Sequence, residues 1–268
     1  GTMSDAPNQA DPGRVLVTRD GGVATLTLDC PSKRNAFTPD IKTGLIDALS
    51  ASIEDRDVRV IVITGAAGHF SAGGDITGMT KFAGAQEGRE SLLKLHRLTR
   101  LIVDCEKPVI AAVEGACAGG GLALAASCDI VIAGEGAKFS CGFHKIGLMP
   151  DLGAVWTLPM RMGLGRAKMF MLIGDPISAA DACRDGLCEK VVPTGEALDA
   201  AMAMAGKMAK SAPMALGYTK SVLARMPDGL DAMLKAEADA QFALMASDDF
   251  REGRTAFLEK RASRFTGR

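Results

Sequence analysis

The stretch that most restricts how this chain can fold runs from Lys107 to Ala126. An apolar segment, Lys107-Pro108-Val109-Ile110-Ala111-Ala112-Val113, passes through Glu114-Gly115-Ala116-Cys117-Ala118 into three consecutive glycines, Gly119-Gly120-Gly121. Leu122, Ala123, Leu124, Ala125 and Ala126 follow. A glycine run between a buried strand and an Ala/Leu helix lets a ligand approach the backbone closely and aims the first free N–H groups of that helix outward. Such an end suits negative charge. Tight packing of strand against helix would also call for glycines, so the two readings must be separated by what the rest of the chain supplies.

A second glycine-rich loop, Gly65-Ala66-Ala67-Gly68-His69-Phe70-Ser71-Ala72-Gly73-Gly74-Asp75-Ile76, follows Val58 to Thr64. That preceding run is nearly all β-branched, as suits a strand buried on both faces. Two glycine loops, each after a buried strand, can place two main-chain donors on one oxygen. Upstream, Arg14 to Thr18 and Val23 to Asp29 alternate as strands around an Asp20-Gly21-Gly22 hairpin turn. Pro31 to Phe37 forms a loop carrying adjacent cations, Lys33 and Arg34. A helix capped by Thr38, with Pro39 in its first position, then carries Ile41, Leu45, Leu49 and Ile53 at helical spacing.

Gly78, Gly84 and Gly88 predict a loop with at most short helical pieces over 77–90, before a helix from Ser91 to Asp104. Lys107 to Val113 and Asp129 to Ala133 bracket the triple-glycine helix as a parallel strand-helix-strand unit. Ala137 to Ser140 suits a short strand. Helix patterns dominate from Gly153, with one short strand near Cys188 to Val192. Beyond Gly195 the helices break at Pro213, at Pro227 and at a Ser247-Asp248-Asp249 cap, and suit covering a core edge or a partner subunit. The expected division is a mobile tail over 1–12 that begins with Gly1-Thr2 as an expression scar, an α/β core over 13–195, and a helical region over 196–268.

Charge and motif usage exclude several functions. Thirty-one basic and thirty-two acidic residues give a net charge of −1, so no global field favours nucleic acid or an anionic membrane. No apolar run is long enough to span a bilayer. Seven cysteines without a Cys-x-x-Cys pair suit reduced thiols in a cytoplasm. The three histidines, His69, His96 and His144, are too scattered to predict a metal site. With no Gly-x-Ser-x-Gly elbow, dinucleotide fingerprint or phosphate-loop lysine, nothing implies NAD or ATP.

Phe70 to Ile76, Lys107 to Gly121, Cys128-Asp129-Ile130 and the C-terminal Phe250 to Arg261 together resemble the crotonase, or enoyl-CoA hydratase/isomerase, superfamily, from about residue 14 onward. The resemblance implies a crotonase/ClpP-like α/β spiral of ββα units. Its C-terminal helical region would build trimers, often paired into hexamers. It also implies an acyl-CoA thioester as substrate, with coenzyme A entering as part of that substrate and no separate cofactor. The thioester oxygen would accept bonds from the N–H groups of Gly74 and Gly120. Lys33 and Arg34 would lie near the CoA phosphates, together with Ala36, and the backbone from Ala72 through Asp75 to Ile76 would border the adenine. Lys260 would reach a phosphate on a neighbouring subunit's ligand. The plainer reading of Lys33, Arg34 and Lys260 is solvated surface charge.

Hydratases of this superfamily use two glutamates, and the matching positions here hold Ala123 and Phe143. Neither transfers a proton, which disfavours hydration unless atypical residues replace the pair. Glu114 precedes the glycine turn and is expected to face away. Asp151, among Phe143, Leu148, Met149, Leu152, Val155 and Trp156, remains as a carboxylate whose pKa desolvation would raise. A helix N-cap is its plainer role. Phe143, Gly147 to Asp151, Trp156 to Pro159 and Phe265-Thr266-Gly267 resemble the enoyl-CoA isomerases of the phenylacetate-degradation type. The leading expectation is therefore double-bond isomerisation with Asp151 as sole acid/base, in a substrate pocket drawn from His96, Ala123, Phe143, Leu148 and Trp156. Cys141 to His144, Asp151 and His96 also match 4-chlorobenzoyl-CoA dehalogenases, with Asp151 as nucleophile and His96 as base. Against that stand Phe143 where Trp is expected and Pro150 where Asn is expected. A CoA-binding protein without catalysis is the third reading.

Overall fold

The structure is a computed structural model that describes residues 11–76, 85–226 and 228–268. Two strands open it, β1 (Arg14–Asp20) and β2 (Val23–Asp29), paired antiparallel with Asp20 opposite Val23. Gly21 and Gly22 both take positive φ, 55° and 81°, the twist that a two-residue hairpin needs. Helix α1 (Pro39–Glu54) starts at Thr38, whose hydroxyl accepts from the Ile41 N–H, and it buries Ile41, Leu45 and Leu49. Strand β3 (Val60–Gly65) lies parallel to β2.

Helix α2 spans Ala85–Asp104, so it begins earlier than the glycines suggest. Gly88 costs a helix only about 1 kcal/mol, while Leu98 and Ile102 are fully packed into the core. Residues 77–84, like Pro227, lie outside the described residues. After α2 come β4 (Val109–Val113), β5 (Ala116–Ala118), α3 (Gly120–Ser127), β6 (Ile130–Gly134) and β7 (Lys138–Ser140). Next are α4 (Ala154–Met162), α5 (Leu164–Ile173), β8 (Ile177–Ser178), α6 (Ala179–Arg184), β9 (Lys190–Val192) and α7 (Ala197–Met208). The larger sheet runs β1-β2-β3-β4-β6-β9 and is parallel from β2 onward; β5-β7-β8 forms a smaller sheet beside it.

Alternation in β3 decides the layering. Ile61 and Ile63 face a core shared with α1 and α3, whereas Val60 and Val62 face one shared with α7. Both faces are thus covered, which is why the run has no polar alternation. Ala197, Ala201 and Ala205 recur every fourth residue on α7 and are fully buried, so small side chains bring that helix close to the sheet. All eight residues of α3 are buried. Its C-terminal end is held by Arg161, which donates to the carbonyls of Ala126 and Cys128 and pairs with Glu189 at 2.7 Å.

The C-terminal part comprises α8 (Pro213–Leu223), α9 (Leu230–Met245) and α10 (Asp248–Glu259). Lys220 pins α8 to the core by donating to the Ile102 and Lys107 carbonyls, both at 2.8 Å, and to Asp129 at 2.8 Å. Ser247 caps α10. Asp249, only 3% exposed, accepts from the N–H groups of Thr266 and Gly267 at 2.7 and 2.8 Å. Removing a buried acceptor that leaves donors unpaired costs about 1–3 kcal/mol. Asp249→Ala is expected to lower stability by that order and to speed amide hydrogen exchange at Thr266 and Gly267. Unchanged protection of those two amides would show that this carboxylate is not the anchor of the chain end.

Candidate active site

Two loops meet above the ends of β3 and β4. Leaving β3, the chain is drawn along β5: Phe70 and Ser71 donate to the Ala116 carbonyl at 3.1 and 3.0 Å, and Ala118 donates back to Ser71 at 3.0 Å. Gly73 then turns with φ 93°, and its carbonyl accepts from the Phe37 N–H at 2.7 Å. On the other side Gly119 turns with φ 54° and donates to Ser140 at 3.1 Å. The loops touch without side chains between them. A Cβ on Gly73 would lie 2.5 Å from the Ala118 oxygen and 3.1 Å from the Gly120 nitrogen.

Gly120 opens α3, so its N–H has no acceptor within the helix. Among the described residues neither the Gly120 nor the Gly74 N–H donates to a protein acceptor. The arrangement therefore offers two free main-chain donors from abutting loops, one of them reinforced by a helix N-terminus. Glu114 faces away from them, accepting from Gly195 and Ala197 at 2.8 and 3.1 Å and so bracing the start of α7.

Asp151 lies in the turn between a short 3-10 segment, Phe143–Ile146, and α4. Burial raises its pKa, opposed by its own backbone amide and by the positive charges of His96 and Lys42. It also acts on Cys141, whose thiol is pushed up to about 11 by burial first and by the Asp151 charge second. Asp151 is not the helix cap. Gly153, at φ 80°, holds that position, and Leu152 before it takes a left-handed φ of 50°. Thr99 on α2 fixes this turn by donating to the Leu152 carbonyl at 2.9 Å. Leu152 and Phe143 close against the glycine turn: a Cβ on Gly120 would sit 3.6 Å from Leu152 Cδ1, and one on Gly119 would sit 3.9 Å from Phe143 Cζ. Asp151 is thereby a chain neighbour of a side chain that packs toward Gly120.

The apolar surroundings expected for Asp151 are only partly closed. Phe143 and Leu152 are buried, whereas Leu148, Met149, Val155 and Trp156 are 46%, 67%, 49% and 41% exposed in the single chain. Trp156 and the exposed His96 line a cavity of about 320 Å³ with Thr99, Val103 and Gly153, beside the Asp151 turn. Leu148 does not line that cavity, and Ala123 is buried within α3. Lys33 forms a 3.0 Å ion pair with Asp75, joining the cationic loop to the residue after Gly74. Arg34 is exposed with φ 48°, Ala36 is buried, and Ala72 donates to the Arg34 carbonyl at 2.9 Å. Ile76 is exposed at the end of the described segment. Lys260, also exposed, ends α10 with φ 53°. Among the described residues no group of His, Cys, Asp and Glu is arranged to hold a metal ion, and no helix is long and apolar enough to cross a membrane.

Two fully buried residues at this site, Asn35 and Ser71, are given no role by the sequence, although Ser71 lies within the Phe70 to Ile76 motif. Asn35 follows Arg34 in the left-handed region at φ 59°, a conformation for which Asn is enriched. That preference is the one local signal it carries.

The sequence profile described as enoyl-CoA hydratase/isomerase matches residues 18–268. The chain is 37% identical over 262 residues to the 1,2-epoxyphenylacetyl-CoA isomerase of Escherichia coli, covering 95% of this chain and 98% of that protein. It is 35% identical over 255 residues to the 2,3-dehydroadipyl-CoA hydratase of the same organism, covering 95% and 99%. A crystal structure of an enoyl-CoA hydratase from a Polaromonas species superposes with a TM-score of 0.90 at 35% identity, over 94% of this chain and 100% of that one. With abutting glycine loops at the positions its motifs assign and a relationship that spans nearly the whole fold, the chain belongs to the enoyl-CoA hydratase/isomerase family of the crotonase superfamily.

Proposed function

We propose that this enzyme shifts a double bond in an unsaturated acyl-CoA, with Gly74 and Gly120 as the oxyanion donors and Asp151 as the sole acid/base. The observation that carries this reading is the half-buried carboxylate of Asp151 in the turn whose Leu152 packs toward Gly120, with Ala123 and Phe143 where a hydratase keeps its glutamates. Taking the α-proton of a 3-enoyl thioester leaves a dienolate whose oxygen is held by the two N–H groups. Returning the proton at the γ-carbon gives the 2-enoyl isomer, so one carboxyl group completes the reaction. Fixed donors act mainly on the charge that develops at that oxygen. The CoA moiety lies along Lys33, Arg34, Ala36 and the backbone from Ala72 through Asp75 to Ile76, with Lys33 already oriented by Asp75. The helix α9 buries none of its own residues and leaves Leu230, Leu234 and Phe242 exposed, which supports a trimer or hexamer in which Lys260 meets a neighbour's ligand. Seven free thiols support a cytoplasmic setting.

One observation favours a second reading. His96 lies near enough to Asp151 for its charge to act on that carboxylate, which brings together the two residues that the dehalogenase reading uses. Both chemistries start from ionised Asp151, so its electrostatics do not separate them; Phe143 where Trp is expected and Pro150 where Asn is expected weigh against the dehalogenase. Incubation of trans-3-hexenoyl-CoA with the protein is expected to give the 2-enoyl product, and in D₂O its γ-carbon gains deuterium only to the extent that the Asp151 carboxyl exchanges its proton with solvent before returning it. A hydrated product alone, or binding without turnover, overturns the isomerase reading. Chloride release from a halogenated aroyl-CoA establishes the second.

A further inference from the structure

Gly73 and Gly74 share one peptide plane, and because the peptide is planar and trans the Gly74 N–H points opposite to the Gly73 carbonyl. The direction of the donor is therefore the orientation of that plane. Its carbonyl end is fixed by the Phe37 N–H at 2.7 Å. Gly73 has no side chain to restrain its positive φ, so a second fixing point is needed on its nitrogen side. Ser71 Oγ supplies it, accepting from the Gly73 N–H at 3.1 Å and donating to the Asn35 carbonyl at 2.8 Å. A hydroxyl carries both a donor and acceptor lone pairs, so one group satisfies two buried main-chain atoms that would otherwise lack partners.

Asn35 is itself over-determined. Its Oδ1 accepts from Cys30 at 2.8 Å, and its Nδ2 donates to the carbonyls of Ala66 and His69 at 3.0 and 2.7 Å. Those contacts tie the loop after β2 to the loop after β3. Ser71 also reaches the other half of the cradle, since its carbonyl accepts from Ala118 at 3.0 Å and a Cβ on Gly121 would lie 2.5 Å from it. Ser71 and Asn35 are both 0% exposed, so neither meets a ligand directly.

We propose that Ser71, held in place by Asn35, is a positioning residue that sets the direction of the Gly74 N–H and so the strength of one of the two oxyanion contacts. This rests on the acyl-CoA reading above. The consequence is a loss of rate without a matching loss of binding, because the CoA moiety meets other residues. A small misplacement of a reacting group costs about 10²-fold, so Ser71→Ala is expected to slow turnover of trans-3-hexenoyl-CoA by roughly 10- to 100-fold with little change in KM.

A spectroscopic signature separates this role from a merely structural one. Infrared spectra of bound [1-¹³C]butyryl-CoA report the hydrogen bonds at the thioester carbonyl. The unmodified protein is expected to shift that band to lower frequency, and Ser71→Ala to return it part of the way toward the free thioester. Ser71→Cys, whose sulfur is a weak acceptor, is expected to behave likewise and carries the test by the same readout if the alanine variant fails to fold. An unshifted carbonyl in the unmodified protein overturns the acyl-CoA reading itself. A shifted carbonyl that stays unchanged in the variants, with turnover intact, overturns the positioning role alone.

Discussion

Asp151→Asn is expected to lower isomerase turnover by roughly 10⁴-fold, the upper end of what general acid–base catalysis contributes, because the same carboxyl group both takes and returns the proton. Asparagine keeps the size and much of the polarity, so acyl-CoA binding is expected to persist. In the unmodified protein kcat/KM rises with pH as Asp151 ionises, with a midpoint above the usual 3.8 because burial disfavours the charged form. The groups that face it are His96, Lys42 and the Cys141 thiol. His96→Ala removes a positive charge that stabilises the carboxylate and moves the midpoint further up. Stability moves the opposite way. Between 3.8 and the raised folded-state value the folded chain holds more protons than the unfolded one, so stability falls as pH rises through that window and the loss persists above it. Asp151→Asn escapes this loss. It is expected to melt higher than the unmodified protein at neutral pH, with the gap closing once the pH drops below the usual carboxylate range. Full isomerase activity in the asparagine variant would remove Asp151 from the reaction.

The parts of this molecule that can be read along the chain are those set by local periodicity and local chemistry. Thr38 before Pro39 marks the start of α1, and the β-branched run through β3 announces a strand covered on both faces. The glycines at 119–121 signal room for a ligand or for tight strand–helix packing, whereas what a Cβ on Gly73 or Gly119 would meet is the facing glycine loop, at 2.5 and 3.8 Å. What escapes is set by partners distant in sequence. Ser71 and Asn35 are 36 residues apart, and neither the motif that contains Ser71 nor the left-handed preference of Asn35 shows that they meet. Asp151 has the look of a cap because Pro150 precedes it, yet Leu152 and Gly153 both take positive φ and move the helix start beyond it. The early start of α2 at Ala85 runs against the glycine at 88, since burial of Leu98 and Ile102 outweighs a weak local preference. Exposure of Leu148, Met149 and Trp156 is equally invisible to composition, which records that they are apolar but not what covers them.

Contact between the two glycine loops makes Gly73 the position where the smallest addition has the largest consequence. A methyl group there would lie 2.5 Å from the Ala118 oxygen and 3.1 Å from the Gly120 nitrogen, and both obstacles are backbone that cannot rotate away. The φ of 93° adds strain for any residue with a Cβ. Relief requires the loops to separate, and they are the two that carry the Gly74 and Gly120 donors. Loss of one oxyanion donor lowers rate by about 10²- to 10³-fold, so Gly73→Ala is expected to fall in that range with a smaller effect on acyl-CoA affinity. Gly163, between α4 and α5, provides the comparison: its φ is 77°, but a Cβ there would meet nothing within 4 Å. Gly163→Ala therefore suffers only the conformational penalty of about 1–3 kcal/mol for an extended backbone at positive φ, visible as a lower Tm without loss of turnover. Comparing kcat, acyl-CoA Kd and Tm across the two variants separates backbone strain from damage to the cradle. If Gly73→Ala loses no more rate than Gly163→Ala, the approach of the two loops is not what holds the donors in register.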